Sequence, residues 1–174
     1  MKKVKQRKEK RILFDKSQLA PLKVDLETKK LLAEVGLPRD VAPLFEFMSS
    51  KNQLCTLCET LHLSARYQLY WFLGMTKLGD PICLHGDNGN IVLLDVSNDD
   101  CERLINSSLV QFLQFVELFY EYIQPFVLRD ERPEVDGHVP SVLIREMHER
   151  FEEIDKEAMK PHSFWKSELD SLSK

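Results

Sequence analysis

Residues 66–96 decide the fold, and they read RYQLYWFLGMTKLGDPICLHGDNGNIVLLDV. Two short apolar runs, PICLH at 81–85 and NIVLLDV at 90–96, are separated by a Gly-Asp-Asn-Gly turn that no helix could cross. The Asn-Gly pair is favoured where a hairpin needs positive φ. The preceding run, YQLYWFLGM at 67–75, has apolar residues on both faces, which is typical of a central strand. We therefore predict a three-stranded antiparallel meander.

Strict alternation assigns the side chains of the first strand to two faces. Tyr70 and Phe72 fall on one face, and the other face carries Tyr67, Leu69, Trp71, Leu73 and Met75. A fourth, shorter extended piece, RLIN at 103–106, follows the hairpin. Residues 41–47 predict only a short turn or helix, and residues 49–66 have no clear pattern.

Helical patterns lie on both sides of the meander. Apolar residues at three- and four-residue steps in SSLVQFLQFVELFYEYI (107–123) predict a long helix, with Ser108 and Gln111 as its capping box. Three further segments read as helices: the ten residues that follow Asp25 and stop at Gly36, residues 141–154, and the segment after a Ser163 cap, anchored by Phe164 and Trp165. Residues 124–139 read as a charged loop.

Length and composition favour one domain, and the strand and helix patterns above agree with an α+β fold in which helices pack against a mainly antiparallel sheet. A chain of 174 residues with 43% hydrophobic content is large enough to bury a core without disulfides or metal. No apolar run approaches the ~18 residues that a membrane span needs, so a membrane is not expected as a partner. The basic start is followed by only three apolar residues, too few for a secretory signal, which needs ~7 to 15.

Charge is distributed unevenly along the chain. Residues 1–11 hold seven Lys or Arg and one Glu, a net charge of +6, so the total of -4 leaves -10 for the rest. We assign residues 1–24 to a basic N-terminal arm and residues 25–174 to the domain. The arm either solubilises the protein as a disordered extension or touches nucleic acid or anionic lipid. Because the acidic body repels phosphate, direct nucleic-acid binding is not expected.

The four cysteines offer the strongest formal motif. Cys55 and Cys58 form C-x-x-C, and His62 follows four residues later. A structural zinc site needs a second closed pair, whereas Cys83 and Cys101 are 18 residues apart. A redox pair needs a βαβ context that the sequence lacks. We interpret the cysteines as reduced, apolar fillers in a cytoplasmic protein, and a metal-dependent hydrolase that also uses Cys83 or His85 stays an alternative.

The hairpin turn is the other candidate for chemistry. His85 with Asp80 or Asp87 could form a base and its orienting partner. No G-x-S-x-G elbow and no phosphate-binding glycine loop accompanies them, and turn chemistry alone explains the Asp, Asn and Gly residues. We predict no catalytic residue, no cofactor and no metal ligand.

The order of these pieces resembles the SUKH superfamily of bacterial immunity proteins, and its fourth subgroup in particular. The resemblance covers about residues 25–172 and rests on the sequence of LLAEVGLP, APLFEF, YQLYWFLGM, GDPICL, NGNIVLLD, INSSLVQFL and SFWKSEL. The motif positions are Gly36, Pro38, Gly79, Asp80, Pro81, Asn106, Ser107, Ser108, Phe164 and Trp165. We expect these positions to support the fold more than partner contact.

The resemblance implies a function as well as an α+β fold. It implies a protein without enzymatic activity that binds and neutralises a cognate toxin, a nuclease or a nucleic-acid deaminase. An acidic body suits a basic toxin surface by electrostatic steering. We predict contacts through exposed loop acids: Asp87, Asp99, Asp100 and Glu102. The alternative is a regulatory or scaffold module of the same fold that binds a different cellular partner.

Overall fold

A computed structural model describes residues 11–49, 53–95, 101–123, 126 and 139–173. Its centre is a six-stranded antiparallel sheet whose strands follow one another in chain order, β3 to β8. A separate two-stranded ribbon, β1 with β2, lies near the N-terminal end of the described chain. Helices complete the domain, which confirms the predicted α+β class.

The elements have the following bounds. The strands are β1 Arg11–Ile12, β2 Leu37–Pro38, β3 Asp40–Val41, β4 Phe45–Phe47, β5 Tyr70–Thr76, β6 Pro81–His85, β7 Ile91–Asp95 and β8 Cys101–Asn106. The helices are α1 Leu26–Lys30, which continues as a π-helical turn Leu31–Val35, then α2 Leu57–Leu61, α3 Leu109–Tyr122, α4 Ser141–Ile154 and α5 Phe164–Leu172. Short 3-10 turns occur at Ala65–Tyr67 and Glu157–Met159.

The predicted meander is confirmed, and two of its neighbours differ from prediction. Strands β5 to β8 pair in sequence, and β5 lies inside the sheet as its double-sided apolar pattern predicts. Residues 41–47 do not form a helix: β3 and β4 make a hairpin around a cis Ala42-Pro43 peptide. The unassigned stretch 49–66 contains α2, which begins with a full capping box between Thr56 and Glu59.

A β-bulge in β5 corrects the predicted strand faces. The register between β5 and β6 shifts between Phe72 and Gly74. Consequently Met75 lies on the same face as Phe72, whereas strict alternation predicts opposite faces. Both side chains belong to a smaller apolar cluster built around Leu57, Cys83, Val92 and Leu94. Tyr67 joins the same cluster from a 3-10 turn, outside the strand. At Gly74 a Cβ atom would lie 2.2 Å from the carbonyl oxygen of Glu46, so only glycine allows β4 to approach β5 this closely.

The larger core lies between the sheet and the helices α3, α4 and α5. Trp165 is 1% exposed and its ring contacts several aromatic rings, with Phe151 at 5.2 Å and Phe115 at 5.6 Å between centroids. The rings of Phe115 and Phe151 stack at 3.8 Å, which joins α3 to α4. The predicted anchors Phe164 and Trp165 are therefore core residues.

Two predicted helix caps hold in position but differ in detail. Ser108 caps α3 by accepting from the backbone N–H of Gln111. The Gln111 side chain contacts the cap through the Ser108 hydroxyl, which donates to Gln111 Oε1 at 2.8 Å, while its Nε2 donates to the carbonyl oxygen of Ile154, 2.8 Å away on α4. Ser163 precedes α5, yet its hydroxyl donates backwards to the carbonyl oxygens of Ala158 and Lys160. Gln111 thus joins α3 to α4, and the Ser163 side chain joins the start of α5 to the preceding 3-10 turn without capping the helix.

Residues 11–24 belong to the packed domain. Four of their apolar side chains, those of Ile12, Phe14, Leu19 and Leu22, are at most 3% exposed and belong to the main core. Ile12 pairs with Leu37, and a Cβ at Gly36 would lie 2.4 Å from the carbonyl oxygen of Ile12. The packed domain therefore reaches at least to Arg11, earlier than the boundary expected after residue 24. Residues 1–10 of the expected arm lie outside the described residues.

A buried polar cluster ties the end of β8 to the C-terminal helices. Asp155, 3% exposed, accepts hydrogen bonds from Asn106 Nδ2 at 3.2 Å, from Ser107 N at 2.7 Å and from Ser107 Oγ at 2.9 Å. Asn106 Oδ1 accepts in turn from Trp165 Nε1 at 2.9 Å, and the backbone N–H of Ala158 donates to Asp155 at 3.4 Å. The Asn-Ser-Ser motif is therefore structural, because it anchors α3, β8 and α5 to one carboxylate.

Candidate partner-binding surface

The face of the sheet away from α3, α4 and α5 carries the smaller apolar cluster. Phe72, Cys83, Val92 and Leu94 lie in it, each at most 8% exposed, and α2 contributes the fully buried Leu57. Exposed polar side chains border this cluster. The cluster is therefore a second, smaller core beneath α2, and the polar side chains at its edge are the part of this face that solvent reaches.

Glu102 stands at this border and is the best-defined of the predicted contact residues. It lies on β8, which is a terminal strand of the sheet, and its side chain is exposed. The hydroxyl of Tyr70 donates to Glu102 Oε2 at 2.8 Å, and the Tyr70 ring lies edge-on to the His85 ring at 5.2 Å between centroids. Tyr70 therefore orients the carboxylate. The sequence analysis placed Tyr70 on a strand face but missed this role, because the contact joins residues 32 apart.

Asp87 lies in the β6–β7 turn, where the polar residues bond to their own backbone. Asn88 Oδ1 accepts from Asn90 N at 2.9 Å, and the backbone N–H of Asp87 donates to His85 Nδ1 at 3.3 Å. Gly89 supplies the positive φ, at 76°. These hydrogen bonds are typical of a turn that reverses the chain. The Asp87 side chain itself is exposed in this turn.

Asp80 and His85 do not form a catalytic pair. They flank β6 at its opposite ends, because Asp80 immediately precedes the strand and His85 ends it. Asp80 belongs to the β5–β6 turn, where its backbone N–H donates to Thr76 Oγ1 at 3.2 Å and its carboxylate accepts from the same hydroxyl at 3.4 Å. Both polar groups are explained by the two turns that border the strand.

Asp87 and Glu102, the predicted contact acids that the structure describes, lie toward opposite ends of the sheet. Successive turns of a meander lie at opposite ends of the sheet, so the β6–β7 turn that holds Asp87 is remote from the pair Asp95 and Cys101. Asp99 and Asp100 lie outside the described residues, between the two members of that pair. The register therefore separates Asp87 from the chain end that leads to Asp99 and Asp100.

The cysteines are free and differ in exposure. Cys83 is fully buried, and burial, with a smaller contribution from the nearby Glu102 carboxylate, raises the pKa of its thiol far above the ordinary value. Cys101 is exposed, while Cys55 and Cys58 are intermediate and Cys58 Sγ lies 3.2 Å from Thr56 Oγ1. Within the described ranges, no group of three or more His, Cys, Asp or Glu side chains could hold a metal ion.

The described helices also carry no membrane-spanning candidate: none of them is long and apolar enough to cross a bilayer. An antiparallel sheet, covered on one face by helices and on the other by a smaller apolar cluster with α2, defines an α+β domain. The family model of the SUKH-4 immunity protein matches residues 8–171, and the chain belongs to this family. The match covers the packed residues 11–24 as well as the meander. Comparison with curated proteins and with solved structures gave no match.

Proposed function

We propose that this chain neutralises a cognate toxin by binding it one to one, without turnover. The observation that carries the proposal is the match to an immunity protein family across residues 8–171. The proposal places binding in the cytoplasm, where a reducing environment suits four free cysteines. The protein then acts by occupying the toxin's active site or a surface beside it.

Charge supports a toxin that acts on nucleic acid. Nucleases and nucleic-acid deaminases need basic surfaces to hold phosphate, and residues 12–174 carry a net charge of -10. Opposite charges increase the rate of encounter most strongly at low salt. The proposed target is therefore a nuclease or nucleic-acid deaminase, recognised through its basic surface.

Glu102 is the contact residue that the geometry favours within this proposal. Its carboxylate is exposed but held by Tyr70, so less side-chain freedom is lost when it pairs with a cation of the toxin. Asp99 and Asp100 precede it along the chain and complete the proposed contact. Asp87 would belong to the same interface only if the toxin reached across the sheet, which a standard interface of ~1,600 Å² allows.

The first experiment is calorimetric titration against the toxin domain encoded beside the gene. Nanomolar binding at a one-to-one ratio is expected, with toxin activity falling linearly to zero at equivalence. If well under one equivalent of this protein abolished all toxin activity, the protein would be acting catalytically, and stoichiometric neutralisation would be refuted. A folded protein that does not bind the toxin would refute the pairing.

Charge reversal then tests the surface. E102K should slow association at least about tenfold at low salt and reduce its salt dependence, as expected when an interfacial charge is reversed. E27K is the matched control, because Glu27 is an exposed acid on α1 and the net charge changes equally. Equal effects of E102K and E27K would show that only net charge matters and would remove Glu102 from the interface.

A further inference from the structure

A groove between α3 and α4 has an apolar floor and an acidic rim. Its cavity volume is about 280 Å³. Leu118 and Ile154 form the floor and are half-buried, whereas Glu117, Glu121 and Glu153 line the rim and are exposed. The volume is smaller than the ~300–1,000 Å³ of a typical small-molecule site, so the groove suits a chain segment better than a drug-sized ligand.

Among the described residues that line this groove, acids outnumber cations. None of the three rim glutamates forms an ion pair with any described residue. Arg150 is the cation that also lines the groove, but its Nε lies 3.9 Å from Glu146 Oε1 and its guanidinium lies 5.9 Å from the Tyr122 ring centroid. Three carboxylates and one arginine leave the groove with a net charge of about -2, which favours a cationic occupant.

The chain itself supplies a segment of complementary charge. Residues 2–10, KKVKQRKEK, hold six Lys or Arg and one Glu, a net charge of +5. A second surface cavity, lined by Lys16, Lys29, Lys30 and Glu34, has a net charge of about +2 and would repel the same segment. Complementarity therefore distinguishes the α3–α4 groove from this other depression of the surface.

The groove lies within reach of this segment. Arg11, the first described residue, pairs with Pro38 in the β1–β2 ribbon. Two residues later, the carbonyl oxygen of Asp40 accepts a hydrogen bond from the Tyr120 hydroxyl of α3. Tyr120 lies beside Glu121 on the helix, and nine residues extend up to about 30 Å. The segment is thus long enough to cross from β1 to the rim acids.

We infer that residues 2–10 dock in the α3–α4 groove of the same molecule, with lysines on Glu117, Glu121 and Glu153. Tethering gives the segment an effective concentration in the millimolar range, so several weak ion pairs suffice to hold it. Docking covers an acidic surface in the isolated protein, and this inference is independent of which toxin the protein binds.

Zero-length carbodiimide cross-linking of the full-length monomer tests the inference. The reagent joins a lysine to a carboxylate in direct contact, and mass spectrometry then identifies the joined peptides. Cross-links from Lys2, Lys3, Lys5, Lys8 or Lys10 should concentrate on Glu117, Glu121 and Glu153. Raising NaCl to about 0.5 M should lower their yield at least fivefold, because the Debye length falls to about 4 Å.

Matched variants separate the groove from general acidity. The triple variant E117Q/E121Q/E153Q should lose at least about four-fifths of the segment's cross-links, whereas E146Q/E149Q/E152Q should keep them. The second variant also removes three charges, all from α4, the helix that carries Glu153, and none of the three lines the groove. Segment lysines that cross-link mainly to other acids, equal losses in both variants, or no intramolecular cross-link at low salt would each overturn the inference.

Discussion

Replacing Asp155 by alanine should destabilise the domain more than any surface change. The carboxylate is 3% exposed and accepts from Asn106, from the backbone and hydroxyl of Ser107, and from the backbone of Ala158. Each donor left unsatisfied costs about 1–3 kcal/mol. Since water enters part of the vacated space, we expect a loss of about 3–5 kcal/mol, a large share of the ~5–15 kcal/mol that holds a domain.

Urea denaturation measures this loss directly. With a slope of about 2 kcal/mol per molar urea, the midpoint for D155A should fall by about 2 M. D155N should lose about half as much stability as D155A. The amide keeps the shape of the side chain and one acceptor oxygen, but its NH₂ group would face donors that now bond to the second carboxylate oxygen. D170A is the matched control: Asp170 is exposed, and its ion pair with Lys166 predicts a change of under ~1 kcal/mol.

The Asp155 argument has a clear point of failure. A midpoint for D155A within about 0.5 M of the parent protein would refute it, because the three hydrogen bonds from Asn106 and Ser107 to the buried carboxylate could not then be holding the end of β8 to α4. An unchanged slope is needed for the comparison, since a changed slope would mean that the unfolded or folded state itself differs in compactness.

Three further predictions concern single side chains. G74A should lower the free energy of unfolding by about 1–3 kcal/mol, because the new methyl group would clash with the carbonyl oxygen of Glu46. Thermal denaturation measures this loss, and an unchanged melting temperature would mean that β4 can move away from β5 at no cost. Burial raises the pKa of Glu168, so the folded state binds more protons and stability falls as pH rises through the interval between the unfolded and folded pKa values. E168Q should therefore be more stable than the parent at pH 7.5 and lose that advantage near pH 4, and urea midpoints at both pH values check the sign. When the folded protein is treated with a thiol reagent, the exposed Cys101 should react first, and the C101S variant should lack this fast phase. The buried Cys83 should react only when the protein unfolds, so fast labelling of Cys83 would contradict its burial.

Local sequence signals predicted the parts of the fold that are locally determined. The turn around Gly89 and the apolar runs on either side define β6 and β7, and periodicity defines α3 and α4 almost to the residue. The β3–β4 hairpin was missed because strands of two and three residues are too short to show alternation. Helix α2 was missed for a similar reason, although its Thr56 and Glu59 form the standard capping pair.

Contacts between residues that are far apart in the chain could not be predicted from the sequence. Nothing in the residues around Asp155 distinguishes it from the exposed acids that precede it, yet its partners lie 48 and 49 residues away. The bulge at Gly74 displaced Met75 from its predicted face, because it depends on how β4 approaches β5. Of the proposed contact acids that the structure describes, Asp87 rests on exposure and charge, and Glu102 has in addition a partner, Tyr70, that orients it.

The way residues 139–173 join the sheet suggests that the protein could be divided and reassembled. This part carries Phe151 and Trp165 into the aromatic core and Asp155 to the end of β8, so it meets the rest through a surface like an obligate subunit interface. Two polypeptides cut within residues 127–138 should therefore associate on mixing. If the two halves are fused to two different proteins, reassembly of the domain should then restore binding of the proposed toxin only when those two proteins associate.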